Sequence, residues 1–141
     1  MGKIAKKAPV AEIKVWKKRI ENIPFVRLLG MKVISLDKDG LVMEMKVVPK
    51  LLNYFGGVHG GGIVSLIDTA AYFSILPFLS KKKALTTTEI KTNFFRVARK
   101  GPLTVKAKIV HLGSRTAVGE AEIVDEAGSL VAKGMVGHLV T

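Results

Sequence analysis

Asp68 is the residue that most needs a chemical explanation. It lies inside Gly61–Leu79, the longest apolar segment of the chain. A carboxylate left unpaired and dry in such a place is costly, so its presence points to use. The chemistry open to it is that of a general base on water or of a nucleophile. Eight residues earlier, in the run His59-Gly60-Gly61-Gly62, stands Gly60, at the predicted start of the same helix. The first N–H groups of a helix lack internal acceptors and sit at the positive end of its dipole. Glycine leaves such an amide open to close approach. A carbonyl oxygen placed there is stabilised as it becomes an oxyanion, which makes the Gly60 N–H a candidate donor. The two residues are about 12 Å apart along the axis at 1.5 Å per residue, too far for one carbonyl to meet both. If they act together, a second subunit's helix must run antiparallel beside the first. A twofold dimer then brings Asp68 of one chain to Gly60 of the other, twice over.

Other chemistries are poorly supplied. The chain has no cysteine. That removes disulfides, thiolate metal sites and cysteine nucleophiles together, and it fits the reducing cytoplasm as the expected location. Ser65, one turn before Asp68, lacks a Ser-His-Asp context. His111 and His138 are isolated in predicted strands and make no metal site with anything nearby. The glycine pairs are followed by neither a Walker Lys-Ser/Thr nor a Rossmann pattern. No metal or cofactor is expected.

The elements that must hold these residues can be read from periodicity. The 141 residues, 48% of them hydrophobic, suffice for one domain with its own core. Seven of the twelve net positive charges fall in residues 1–32. Residues 1–9 read as disordered. Val10, Ile13, Trp16 and Ile20 then mark an amphipathic helix to about Asn22, basic on its outer face and ended by Pro24. A short turn over Phe25–Leu29 follows. Met31–Leu36 and Leu41–Val48 read as strands joined by the hairpin signal Asp37-Lys38-Asp39-Gly40. Leu41, Met43, Met45 and Val47 share one face. After a loop over Leu51–Val58, the long helix runs from His59 to about Ile75, before Pro77.

Four strands complete the chain: Ala84–Val97, Leu103–His111, Thr116–Val124 and Ser129–Val140. A helix apolar nearly all round must be covered on most sides, and a curled antiparallel sheet is the simplest cover. Gly119, Gly134 and Gly137 in the last strands suit a bent sheet or close approach to that helix. The expected fold is therefore α+β, a long central helix wrapped by a curved antiparallel sheet, with an extra N-terminal helix. A membrane span over Gly61–Leu79 is rejected because Asp68 falls near its centre and Pro77 near its end.

The motif around Asp68 resembles that of a known family. Asn53, Gly56-Gly57, His59-Gly60-Gly61 and then Asp68-Thr69-Ala70, nine residues beyond the histidine, match the signature of the phenylacetyl-CoA-type (PaaI-like) hot-dog thioesterases. Downstream, Thr87-x-Glu89-x-x-x-Asn93-Phe94-x-Arg96 is similar to that family's strand, although Val97 stands where it usually has proline. The resemblance covers roughly residues 25–140. It implies a hot-dog domain over 25–141, preceded by a basic arm and helix over 1–24. It also implies hydrolysis of an acyl-CoA thioester, with coenzyme A as part of the substrate, in homodimers or homotetramers with sites at the subunit interface. By the same resemblance Asp68 is the catalytic carboxylate and Gly60 the oxyanion donor. Asn53 orients water or the carboxylate, His59 braces the loop or touches the carbonyl, and Thr87 holds the water. The acyl chain is expected beside Ile67, Tyr72, Phe73 and Phe94–Phe95. The coenzyme A phosphates are expected near Lys81, Lys82, Lys83, Arg96, Arg99 and Lys100.

Two other readings use the same residues. A hot-dog hydratase or dehydratase acts on acyl-thioesters without releasing thiol. A sensor binds acyl-CoA without turnover, and the basic N-terminal helix suits it. That segment is too short for a helix-turn-helix domain, so a nucleic-acid partner is not expected.

Overall fold

A computed structural model describes residues 10–141. The expected disorder of residues 1–9 lies outside the described residues. Helix α1 (Val10–Glu21) forms where the periodicity predicts it, with Ile20 fully buried and Ile13 and Trp16 packed on the core. The turn expected over Phe25–Leu29 is instead a second helix, α2 (Pro24–Leu29). Pro24 is not only a stop. Its fixed φ suits the first helical position, where no N–H is needed. Gly30, at φ 70°, ends α2 in the left-handed conformation.

Six strands follow: β1 (Met31–Asp37), β2 (Gly40–Met45), β3 (Leu85–Phe94), β4 (Leu103–Leu112), β5 (Thr116–Val124) and β6 (Leu130–Val140). They form one antiparallel sheet in the order β1-β2-β4-β5-β6-β3. Leu41, Met43 and Met45 are buried on one face of β2, as the alternation requires. Two strands are shorter than their apolar runs suggest, because their ladders stop. β2 ends at Met45, opposite Leu103, the first residue of β4. β3 ends at Phe94, opposite Ala132, rather than at Val97. The chain then turns, with the Phe95 and Arg96 N–H groups both donating to the Val131 carbonyl.

The long helix α3 (Gly60–Ile75) lies across the sheet and touches β2 through β6. With the short 3-10 turn that follows, Gly60–Phe78 is long and apolar enough to cross a membrane. Here Ile63, Leu66, Ile67, Ala70 and Ala71 are buried in the protein core instead. Two strand glycines permit this approach. A Cβ on Gly134 would meet Ile67 Cγ2 at 2.9 Å, and one on Gly119 would meet the Ala71 Cβ at 3.1 Å. Gly137, grouped with them in the sequence reading, is different. It pairs with Glu89, and a Cβ there would find ordinary contact at 3.7 Å.

The sheet's two edges differ. At the β1 edge, where the ladder skips between Val33 and Ser35, α1 supplies the missing partners. Glu21 Oε1 accepts from the Val33 N–H at 2.8 Å, and Lys17 Nζ donates to the Val33 carbonyl at 2.7 Å. At the other edge, β3 has a neighbouring strand on one side only.

Candidate active site

The loop before α3 is organised by Asn53. Its Oδ1 accepts from the backbone N–H groups of Phe55 (2.9 Å) and Gly57 (3.1 Å), and its own N–H donates to the Gly57 carbonyl. Such side-chain capture of nearby amides is the turn chemistry of asparagine. The Val58 N–H donates to the Ala98 carbonyl and the His59 N–H to that of Leu51, which sets the point where α3 begins. His59 is the N-cap. Its Nδ1 accepts from the Gly61 N–H at 2.8 Å. The cap thus takes the second helical amide, and the Gly60 N–H keeps no acceptor among the described residues. Gly60 opens onto a cavity of about 340 Å³ that it lines with Asn53, Ile63, Phe94, Phe95 and Arg96.

Two turns along α3, Asp68 is half-buried. Thr87 Oγ1 donates to its Oδ1 at 2.9 Å. Thr87 reaches the carboxylate from the inner face of β3, just before an irregularity in the ladder between Thr87 and Glu89. Ser65, by contrast, is bonded to its own helix at the Gly61 carbonyl.

Two further residues surround Asp68, and neither stood out as catalytic in the sequence. Tyr72 is one helical turn beyond it, on the same face. Burial and the Asp68 charge together push the Tyr72 hydroxyl above its usual range. His138, on β6, is buried, and its ring packs edge-on to Tyr72 with centroids 6.0 Å apart. Burial pulls the imidazole below its ordinary value, against an opposing pull from the Asp68 charge. The four-residue step from Asp68 to Tyr72 was a readable signal. The signal for His138 was its two-residue alternation with Val136 and Val140.

The residues singled out in the sequence therefore fall into two groups on one chain. Asn53, His59 and Gly60 meet at the start of α3, and Asp68 and Thr87 meet two turns later. Of the residues expected around the acyl chain, Ile67 and Phe73 are core, while Phe94 and Phe95 are exposed at the cavity. Of the expected cations, Arg96 lines that cavity and Arg99 donates to the Phe55 carbonyl at 2.9 Å. Among the described residues, no three His, Cys, Asp or Glu side chains gather as a metal site would require.

Known proteins share both the sequence and the fold. The thioesterase superfamily pattern matches residues 55–132. The acyl-coenzyme A thioesterase PaaI of Escherichia coli is 33% identical over 113 residues, covering 79% of each chain. The 1,4-dihydroxy-2-naphthoyl-CoA hydrolase of Listeria monocytogenes is 29% identical over 73% of this chain and 84% of its own. In fold, a crystallised thioesterase of Haemophilus influenzae superposes with a TM-score of 0.85 over 92% of this chain and 90% of its own, at 24% identity. The one-sheet, one-helix architecture and the match across most of the domain lead to one conclusion: this chain belongs to the thioesterase superfamily and has the hot-dog fold.

Proposed function

We propose that the chain hydrolyses an acyl-CoA thioester to the free acid and coenzyme A, at a site shared between two subunits. The observation that carries this reading is the Asp68 carboxylate, which is held at one oxygen by Thr87 of β3 and stands on the helix that begins with a free Gly60 N–H. In the reaction, Asp68 takes a proton from water as the oxygen attacks the thioester carbon. The carbonyl oxygen becomes an oxyanion against the Gly60 N–H of the partner subunit. Collapse breaks the carbon–sulfur bond, and the proton on Asp68 passes to the departing thiolate. Because Thr87 engages Oδ1, Oδ2 is left to face the water.

The shared site is supported by the open β3 edge. An unpaired strand edge invites pairing with a second copy. The β3 residues Ile90 and Phe94 are exposed in the single chain, Phe94 by 53%. Antiparallel α3 helices across such a dimer place Asp68 and the partner's Gly60 on one carbonyl. Coenzyme A thioesters are favoured as substrates because the PaaI and dihydroxynaphthoyl relatives are named for them.

The test is thiol release from short, long and aromatic acyl-CoAs by wild type and Asp68→Asn. Turnover that falls at least about a hundredfold in a folded Asp68→Asn oligomer supports the reading. Loss of enoyl absorbance without thiol release would make the chain a hydratase. Tight binding without turnover would make it a sensor.

A further inference from the structure

Among the described residues, His138 is the one buried ionisable side chain near Asp68 that the proposed hydrolysis does not use. It is 2% exposed, and neither Nδ1 nor Nε2 makes a hydrogen bond of good geometry among the described residues, the backbone of Ala117 offering only a weak polar contact that favours its proton. Buried polar groups are rarely left unpaired, and those that are call for an explanation. Three residues neighbour the position of His138. On β6 it stands opposite Thr87 of β3 and Ala117 of β5, and directly opposite residues share a sheet face. From α3, Tyr72 meets it edge-on. Thr87 is bonded to Asp68, and Tyr72 is one turn beyond Asp68, so the imidazole stands beside two residues that flank the carboxylate.

The electrostatic surroundings are simple. α3 presents Asp68 and Tyr72. β3 presents Thr87, with Glu89 paired to Gly137 on the opposite face. β5 presents Ala117, and the inward neighbours on β6 are Val136 and Val140. Tyr72, its hydroxyl pushed up, stays neutral through the physiological range. Asp68 is therefore the charge that acts on the ring.

We propose that His138 is a positioning residue for the hydrolysis: uncharged, it leaves the Asp68 carboxylate fully basic, and once protonated it holds that carboxylate as an ion and weakens it as a base. The proposal rests on the reading of Asp68 as general base. The coupling is reciprocal, because a proton on either group lowers the affinity of the other for its own. Burial resists the imidazolium, so the uncharged form prevails at neutral pH and the charged form appears only on the acid side. His138 then contributes to the acid limb of the rate profile without touching substrate.

The first measurement is a histidine-labelled NMR titration of the full chain, wild type against Asp68→Asn, with the three histidines (59, 111 and 138) assigned by single substitutions. The His138 midpoint is expected to fall by about half a pH unit or more in Asp68→Asn, since the charge favouring its proton is gone. An unmoved midpoint overturns the proposal, and this test leaves His138 itself intact. The second is the kcat profile of His138→Gln and His138→Phe, the latter keeping an aromatic ring against Tyr72. The acid limb is expected to move to lower pH in both. A uniform loss at every pH, with the limb unmoved, means that His138 only packs and overturns the proposal. Failure of the underlying reading is seen separately, as a wild-type chain that releases no thiol while the titration still reports the coupling.

Discussion

Thr87 Oγ1 donates a 2.9 Å hydrogen bond to Asp68 Oδ1, tying the central helix to the open edge strand at the carboxylate itself. A hydroxyl donor here holds one carboxylate oxygen, which in the proposed hydrolysis leaves the other to face water. Thr87→Val keeps the β-branched shape but removes the donor. It is expected to lower kcat by about tenfold, the scale of one hydrogen bond to a charged group, with Thr87→Ser recovering most of it. Steady-state kinetics on one good substrate checks this, and equal loss in the valine and serine variants would contradict it.

Gly60 allows an unusually clean test of the amide. It is the first residue of α3, and His59 before it is extended, at φ −58° and ψ 136°. Both conditions suit a proline at position 60, which lacks the N–H yet costs the helix nothing at its first position. A Cβ there meets the Phe94 ring only at 3.5 Å. Gly60→Pro is therefore expected to leave the melting temperature near that of wild type. It should lower kcat by about a hundredfold to a thousandfold, as loss of an oxyanion donor does.

The helix could be read in the sequence because its signals are local. The glycine run, the apolar stretch and the misplaced carboxylate fixed Gly60, Asp68 and the end near Ile75. The alternation likewise predicts β5 with the bounds observed, Thr116–Val124. What could not be read depends on pairing. β2 stops where its partner β4 runs out, and β3 stops opposite Ala132, two residues inside β6, where the chain turns away, although the apolar pattern continues. Pro24 reads as a terminator yet opens α2, because both uses of proline share one local signature. His138 looked isolated because its neighbours Thr87 and Tyr72 are distant in the chain and meet only across the sheet and helix.

Glu21 links α1 to the sheet and gives the fold a predictable acid sensitivity. Partial burial raises its pKa. That is outweighed by the hydrogen bonds from Lys17 and the Val33 N–H, which hold the carboxyl below its ordinary range. A group depressed in the folded state contributes stability above its unfolded pKa and loses it as pH falls through the folded value. Glu21→Gln is expected to destabilise the protein by about 1 kcal/mol at neutral pH, since the site is partly solvated. The difference from wild type should shrink below about pH 4. Denaturant melts at pH 7 and pH 3.5 check this, and a gap that widens in acid would contradict it.

The most direct test of the shared site mixes two crippled chains. Asp68→Asn and Gly60→Pro are each expected to be nearly inactive alone. On the proposed arrangement, the intact Asp68 of one chain in a mixed dimer faces the intact Gly60 of the other, and one of the two sites is restored. Equal mixing by co-expression, or by unfolding and refolding together, should then recover about a quarter of wild-type thiol release, from half the dimers being mixed and half their sites intact. Activity no higher than that of the parents, in mixtures proven to contain mixed dimers, would mean that Asp68 and Gly60 do not meet across subunits.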